Sequence, residues 1–231
     1  MPELREDVAV TAHDADVRDR EKRVAAGAAA ALVEDGMRVG LGSGTTVGYL
    51  LPALAARGLS LRCVATSPAT EAAAREQGLS VGSFLGLDAL GGVDLAIDGA
   101  DQVTPSGWLV KGGGGAHTRE KIVAAAAGRF VVMVSSDKLV ERLTPPVPLE
   151  LLEFGLAATL ERLGSAKLRD VSRTPDGGAI ADYTAAFDDP ASLAKRLSTT
   201  VGVVEHGLFP PALVSDVIVA HGELVEHRLY S

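Results

Sequence analysis

The chain has 231 residues and a formal net charge of −8 at pH 7, with 47% hydrophobic and 23% charged residues. These proportions are close to the average for globular proteins and exclude intrinsic disorder across the whole chain. The acidic balance argues against a general nucleic-acid surface, which would be basic, but it still allows a locally positive pocket that binds a small anion.

The N-terminal 20 residues are rich in charge and have little apolar periodicity, which predicts a frayed or weakly helical arm exposed to solvent. This charged start lacks the apolar segment of a secretory signal. No run in the chain reaches the roughly 18–20 apolar residues that cross a bilayer. The single cysteine, Cys63, cannot pair within the chain and fits a reducing compartment. We therefore expect a cytoplasmic protein without membrane contacts.

Strands and helices alternate through the first two thirds of the chain. The predicted strands span residues 38–42, 60–65, 79–84, 93–98 and 129–136. The predicted helices span residues 21–35, 69–77 and 118–128, and another helix opens from the loop within residues 43–58. Such alternation is typical of βαβ units and predicts a mostly parallel sheet that is covered on both faces.

The pattern changes at Thr-Pro-Pro-Val-Pro, residues 144–148, an extended stretch that predicts a domain boundary. The segments that follow are a strand at 147–149, a helix at 150–164, a hairpin formed by 166–171 and 179–184, a helix at 190–200 and a strand at 201–209. This βαββαβ order is the split βαβ arrangement. An apolar strand at 216–222 is expected to return to the first sheet.

The first glycine-rich loop reads VGLGSGTT at residues 39–46, between a strand and a helix, where backbone N–H groups favour an anion. A dinucleotide fingerprint needs a glycine where Thr45 stands, and the next strand ends without the expected ribose-binding acid. The hydroxyls of Ser43, Thr45 and Thr46 suit a phosphate monoester instead. The alternative is a tight strand-to-helix turn with a capping hydroxyl.

The second glycine-rich loop follows Lys111 and has four consecutive glycines, residues 112–115. It lacks the Gly-Lys-Ser/Thr order of a P-loop. Four glycines cost much chain entropy, which indicates that backbone approaches another group closely. Glu120 follows in the first turns of the next helix, so a lysine and a carboxylate can face one cavity. The alternative is a mobile loop followed by a solvated Arg-Glu-Lys helix face.

Two aspartates, Asp98 and Asp101, mark the carboxyl end of an apolar strand. Ligands bind at this edge in open parallel sheets, and the small residues between the aspartates allow both carboxylates to face one site. The alternative is a turn in which one aspartate caps backbone amides.

Lys138 follows the next apolar strand and is either a second cation for an anionic substrate or a surface lysine. Residues 111–138 contain five Lys and Arg against two Asp and Glu, a local charge of +3. That sign suits a phosphorylated metabolite. All four segments fall at predicted strand ends, and we expect them on one edge of one sheet.

These segments together resemble the A-type ribose-5-phosphate isomerase family. The shared motifs are the Gly-Ser-Gly-Thr-Thr loop, the Asp-Gly-Ala-Asp strand end and the Lys-Gly-Gly-Gly loop followed by Arg-Glu-Lys, and the resemblance covers about residues 20–231. With the pattern above, it implies an α/β fold with two domains. These are a Rossmann-like, mostly parallel sheet domain at 21–144 plus 206–231 and a smaller ferredoxin-like α+β domain at 145–205, preceded by the arm at 1–20.

The resemblance also implies the roles of individual residues. Glu120 is the expected catalytic base, and the other expected catalytic residues are Asp98, Asp101 and Lys111. The expected substrate-binding residues are Ser43, Gly44, Thr45, Thr46, Asp98, Gly99, Ala100, Asp101, Lys111, Gly112, Gly113, Gly114 and Lys138. The expected partner is a sugar phosphate, and the family suggests a homodimer or homotetramer. No cofactor and no metal is expected, since the five histidines form no ligand-spaced cluster.

The implied reaction interconverts D-ribose 5-phosphate and D-ribulose 5-phosphate through an enediol, in the non-oxidative branch of the pentose phosphate pathway. A carboxylate can move the proton between adjacent carbons, and Lys111 or loop amides can donate to the developing oxyanion. One alternative is a non-catalytic sugar-phosphate-sensing domain, which the lack of a basic recognition helix disfavours. Another is a related amino-sugar-phosphate or coenzyme A ester enzyme. The sequence departs from the family pattern at Gln102 and at His117, whose role stays open.

Overall fold

A computed structural model of the protein describes residues 12–86 and 92–230. The helices in these ranges are α1 (Ala12–Ala30), α2 (Thr45–Ala55), α3 (Pro68–Glu76), α4 (His117–Ala125), α5 (Leu156–Leu163) and α6 (Pro190–Ser198). The strands are β1 (Arg38–Leu41), β2 (Arg62–Ala65), β3 (Val93–Asp98), β4 (Gln102–Val103), β5 (Leu109–Val110), β6 (Ala127–Ser135), β7 (Val147–Leu151), β8 (Ala166–Leu168), β9 (Ala179–Tyr183), β10 (Val203–His206), β11 (Leu208–Phe209), β12 (Asp216–His221) and β13 (Leu224–Leu229). Short 3-10 turns cover Ser136–Lys138 and Pro211–Leu213.

The largest sheet has six strands in the order β13-β12-β6-β3-β1-β2. Neighbouring strands are parallel except at the β12–β13 edge, where they are antiparallel. Alanines and leucines of α1 and α2 bury one face, and Val123 and Ala124 of α4 pack on the other. The predicted α/β fold with a mostly parallel sheet is confirmed, as is the return of the chain's end, since β12 pairs with β6.

A second sheet has four antiparallel strands in the order β10-β7-β9-β8. Its core contains leucines of α5 and α6, so the chain order β7-α5-β8-β9-α6-β10 is the predicted split βαβ arrangement. We retain the domain division at 21–144 plus 206–231 and 145–205 as a proposal.

A third sheet, β11-β5-β4, is antiparallel and was not predicted. Each of its strands has two residues, which is too short to produce a periodic pattern in the sequence.

Three predicted elements in the middle of the chain differ from the structure. The predicted strand at 79–84 is wrong, because only Val81 forms an isolated bridge, with Cys63. Its glycine and serines provide no β-branched side chains for sheet packing. The helix predicted at 150–164 begins later, at Leu156, because all five residues of β7 up to Leu151 are buried sheet residues. The helix predicted at 118–128 ends at Ala125, where β6 follows almost at once.

The N-terminal arm also differs from its prediction. Residues 12–20 are the start of α1, and residues 1–11 lie outside the described residues. Glu21 explains why the helix is fixed at this place. Its buried carboxylate accepts hydrogen bonds from the backbone N–H groups of Ser136 and Gly222, at 2.9 and 2.8 Å. The helix therefore crosses the carboxyl ends of β6 and β12.

The parallel strands β1, β3 and β6 lie side by side, so their carboxyl ends meet at one edge of the large sheet. Asp98 is the last residue of β3, and the Ser136–Lys138 turn directly follows β6. Among the described helices, none is both long and apolar enough to cross a membrane.

Candidate active site

A cavity of about 180 Å³ opens at this edge of the large sheet. Its walls are formed by residues 43–46, 99–101 and 111–114 together with Glu120, Lys138 and Lys22. Every site residue proposed from the sequence lies on this cavity except Asp98, which is buried beside it in contact with Lys111. The fold therefore brings the four sequence segments together at one place.

Glu120 lies in the first turn of α4 and exposes 5% of its surface. Its Oε1 accepts a hydrogen bond of 2.5 Å from the Ser43 hydroxyl, and its Oε2 lies 3.2 Å from Lys111 Nζ. One hydroxyl and one ammonium thus fix the carboxylate on the cavity wall. A carboxylate held in this way can exchange a proton with a molecule bound in the cavity.

The Lys111 side chain is also buried and contacts two carboxylates. Its Nζ lies 2.8 Å from Asp98 Oδ2 and donates a hydrogen bond of 2.5 Å to the Gly99 carbonyl. Burial by itself would lower the pKa of Lys111, but Asp98 and Glu120 outweigh it and raise that pKa. The site therefore keeps a permanent ammonium beside the carboxylate of Glu120.

Asp98 ties β3 to the first glycine-rich loop. Its Oδ1 accepts hydrogen bonds from the backbone N–H groups of Ser43 and Gly99, at 3.1 and 2.7 Å. Burial and the charge of Glu120 raise the pKa of Asp98 to about 7, although Lys111 acts in the opposite direction. A side-chain carbon at Gly42 would overlap the Asp98 carboxylate, which explains the glycine at the end of β1.

The second glycine-rich loop forms another wall of the cavity. The Gly113 N–H donates a hydrogen bond of 2.8 Å to Asp101 Oδ2, and the Lys111 N–H donates one of 2.8 Å to the Gly207 carbonyl. Gly112 has φ of +101°, and a side-chain carbon there would collide with the ring of His117. Only glycine fits both the backbone angle and the space at this position.

His117 itself is fully buried and does not line the cavity. Burial lowers its pKa to about 4, so the ring is neutral at pH 7. The structure thus places it in the packing behind Gly112.

Positive groups also line the cavity. α2 begins at Thr45 behind Gly44, and no side chain caps its first turn, so its first backbone N–H groups face outward as donors. Lys138 and Lys22 also lie on this wall, with their Nζ atoms 3.3 Å from Asp137 and 3.2 Å from Asp19 respectively. These donors and cations suit a phosphate group.

Two features of the site differ from the sequence analysis. The Lys111 loop was expected after a strand of the large sheet, but it follows β5 of the three-stranded sheet. Lys22 was missed, because it lies in an alanine-rich helix without a motif. The only signal that could have found it is the long-range placement of α1 over the sheet edge.

Comparison with known proteins identifies the family. A sequence model described as ribose 5-phosphate isomerase A (phosphoriboisomerase A) matches residues 62–223, more than half of the chain. The chain belongs to the ribose 5-phosphate isomerase A family. Its relatives include the ribose-5-phosphate isomerase A of Caulobacter sp. (strain K31), which is 42% identical over 206 residues covering 83% of this chain and 90% of that protein. The enzyme of the same name from Gluconobacter oxydans is 41% identical over 223 residues, covering 89% and 95%.

Solved ribose-5-phosphate isomerase structures have the same fold. The crystal structure of ribose 5-phosphate isomerase A from Neisseria gonorrhoeae is 29% identical and superposes with a TM-score of 0.86, covering 93% of this chain and 98% of that one. A D-ribose-5-phosphate isomerase in complex with phospho-erythronic acid is 34% identical, with a TM-score of 0.84 and coverage of 92% and 99%. The resemblance stated from the motifs is confirmed, and so is the fold class.

Proposed function

We propose that this ribose-5-phosphate isomerase interconverts D-ribose 5-phosphate and D-ribulose 5-phosphate through an enediol, with Glu120 as the base. Family membership supports the reaction, and a solved relative holds phospho-erythronic acid. The observation that carries the choice of base is the buried Glu120 carboxylate on the cavity wall, 3.2 Å from the Lys111 ammonium.

The reaction moves one proton between neighbouring carbons of the open-chain sugar. Glu120 removes the proton from C2, and the electron pair of that bond forms the C1–C2 double bond while the π pair of the C1 carbonyl moves to its oxygen, which takes a proton from water. Return of the proton from Glu120 to C1, with loss of the C2 hydroxyl proton to water and formation of the C2 carbonyl, gives the ketose. One carboxylate can serve both steps because the two carbons are adjacent.

Negative charge develops on the sugar oxygens during these steps. Lys111 lies on the cavity wall beside Glu120 and supplies a permanent positive charge next to the reacting carbons. The Gly114 N–H of the glycine loop is a further donor, whereas the Gly113 and Gly115 N–H groups already donate to Asp101 and to the Gly112 carbonyl. Donors that are fixed before the reaction stabilise such charge without reorganisation.

The two aspartates take different roles. Asp98 is beside the cavity and pairs with Lys111, so we assign it to holding the ammonium in place. Asp101 lies on the cavity wall, where its carboxylate can accept the proton of the C1 hydroxyl and pass it to the ring oxygen as the bond between C1 and that oxygen breaks. The phosphate is assigned to the first turn of α2, between Lys138 and Lys22.

The two rival functions are less well supported. The family match over residues 62–223 is to ribose 5-phosphate isomerase A. It supports neither a sensing domain nor a related enzyme for amino-sugar phosphates or coenzyme A esters. The homodimer or homotetramer and the cytoplasmic location remain predictions. Light scattering of the purified protein tests the first, and fractionation of cells tests the second.

The deciding experiment measures conversion of ribose 5-phosphate to ribulose 5-phosphate by the wild type and by Glu120→Gln. Gln keeps the shape of the side chain but cannot accept the proton, so we expect kcat to fall by about 10²–10⁴-fold. Glu161→Gln, an exposed change in α5, is the matched control and should retain full activity. Turnover of Glu120→Gln within a few fold of the wild type would contradict the choice of base.

A further inference from the structure

We infer that Arg169, held by Asp182, is a positioning residue that fixes the conformation of the catalytic glycine loop from outside the active-site cavity. This inference rests on the proposed function and adds to it a role for the small sheet. It follows from four hydrogen bonds of one guanidinium group.

The guanidinium of Arg169 joins the small sheet to the glycine loop. Its Nε and Nη2 donate to the two carboxylate oxygens of Asp182 in β9, at 2.8 and 2.6 Å. Its Nη1 donates to the carbonyl oxygens of Gly112 and Gly113, at 3.1 and 2.8 Å. A planar fork can make the carboxylate pair and the carbonyl contacts at once, whereas the ammonium of a lysine cannot.

These contacts determine which way the peptide groups of the loop point. Both peptides are trans, because the cis bond found in the described residues is Pro145–Pro146. In a trans peptide the N–H points away from the carbonyl. The Gly113 N–H accordingly points away from Arg169 and donates to Asp101 Oδ2 at 2.8 Å. By the same geometry, the Gly114 N–H is directed to the side of the loop opposite Arg169.

Arg169 acts through the loop and does not touch the substrate cavity. It lines a different cavity, of about 520 Å³, and the walls of that cavity also include Gly113 and Gly114. These two glycines line the catalytic cavity as well, so the loop is a thin partition between the two spaces. The Gly112 and Gly113 carbonyls are held on the side of Arg169, and the Gly114 N–H is left as a donor on the side of the catalytic cavity.

A loop of four glycines needs such a clamp. The Gly112–Gly113 peptide has further anchors, because its carbonyl also accepts from the Gly115 N–H at 2.9 Å and its N–H donates to Asp101. The Gly113–Gly114 peptide is held by Arg169 at 2.8 Å, and the backbone freedom of glycine would let it populate other orientations without that contact. A flipped peptide would turn a carbonyl dipole toward the developing oxyanion and remove a donor. The loss would fall on the transition state more than on the bound sugar phosphate, whose phosphate we assign to the first turn of α2 and the lysines.

The test compares Arg169→Gln, Arg169→Lys and Asp182→Asn with the wild type in steady-state kinetics on ribose 5-phosphate. We expect Arg169→Gln to lower kcat about 10- to 100-fold and to change KM by less than about threefold. Asp182→Asn should also lower kcat with little change in KM, but by a smaller factor. Arg169→Lys should lower kcat less than Arg169→Gln does, because it keeps one charged donor. Arg173→Gln is the matched control, since Arg173 lines the same large cavity but pairs with Glu153, at 2.9 Å. It should leave kcat and KM unchanged.

The outcomes separate this inference from the proposed function. If the wild type converts ribose 5-phosphate and Glu120→Gln does not, the function stands. A kcat for Arg169→Gln within about threefold of the wild type then overturns the positioning role alone. A loss of activity that matches the fraction of unfolded protein, measured by thermal melting, also overturns it. If Arg169→Gln does not fold, Asp182→Asn decides by the same criteria.

Discussion

The Lys111 ammonium lies 2.8 Å from the Asp98 carboxylate, and both side chains are almost fully buried. Glu120 approaches the same ammonium at 3.2 Å, so one cation is shared by two carboxyl groups. Removing one member of a buried ion pair leaves an uncompensated charge, which is strongly unfavourable. The three side chains therefore act as one unit, and changes at any of them affect both activity and stability.

The pH dependence of stability tests this cluster. The pKa of Asp98 in the folded protein, about 7, lies above its ordinary value of 3.8 because of burial and Glu120. The folded state thus binds this proton more tightly than the unfolded chain does. The stabilising contribution of Asp98 falls as the pH rises from about 4 to about 7. We expect the melting temperature of the wild type to decline across this range relative to that of Asp98→Asn, which cannot titrate.

Thermal melts of both proteins at constant ionic strength provide the measurement. A difference in melting temperature that stays constant over the range, or that grows in favour of the wild type as the pH rises, would contradict the assignment.

The sequence contains enough local signal to predict most of the wall residues of the site. Asp98 ends an apolar strand, and Ser43 and Lys138 follow two others. Strands that are buried on both faces stand out as apolar runs, and the polar residues at their carboxyl ends therefore stand out too. Because those ends meet at one edge of a parallel sheet, their proximity follows from the topology.

Lys22 and Arg169 were not predicted, because each lies in a segment without a motif and is far along the chain from the residues it approaches. Lys22 lies on an alanine-rich helix, and Arg169 contacts Gly112 across 57 positions of the chain. Nothing local in either segment indicates the site, because the contact depends on how helices and sheets pack. The same holds for β4, β5 and β11, whose pairing is set by tertiary contacts and not by the pattern of two residues.

Lys138 provides a test that separates phosphate binding from chemistry. Its side chain lines the same cavity as the first turn of α2 and has no proton-transfer task in the proposed mechanism. Lys138→Ala should weaken binding of the ground state and the transition state alike, which raises KM more than it lowers kcat. Loss of one charge-assisted contact is expected to raise KM about ten- to hundredfold.

The measurement is steady-state kinetics on ribose 5-phosphate at fixed ionic strength, with Lys195→Ala in α6 as the exposed-lysine control. Thr46→Ala should resemble Lys138→Ala in a milder form. If Lys138→Ala lowers only kcat and leaves KM unchanged, the lysine acts at the reacting carbons and the phosphate lies elsewhere.

Removal of divalent ions tests the expectation that no metal takes part. Among the described residues, no group of three or more His, Cys, Asp or Glu side chains is arranged to hold a metal ion. The proposed mechanism uses Glu120, Lys111, Asp101 and a backbone N–H of the glycine loop at the reacting carbons, and none of its steps includes a metal ion. We expect full activity after dialysis against EDTA, assayed in chelator-treated buffer. A loss that a divalent ion restores would require a different mechanism.

Alanine substitutions at Gly42 and Gly48 are expected to have opposite effects, because Gly42 contacts Asp98 closely and Gly48 has open space around it. In Gly42→Ala the new carbon would overlap the Asp98 carboxylate, which must move and take Lys111 with it. We expect a loss of about 1–3 kcal/mol in the free energy of unfolding and a fall in kcat. Gly48→Ala, inside α2 with open space around it, should instead stabilise the protein by about 0.5–1 kcal/mol and leave kcat unchanged.

Urea unfolding and the isomerase assay on both variants provide the measurement. Equal stability and activity of the two variants would show that the end of β1 does not position Asp98.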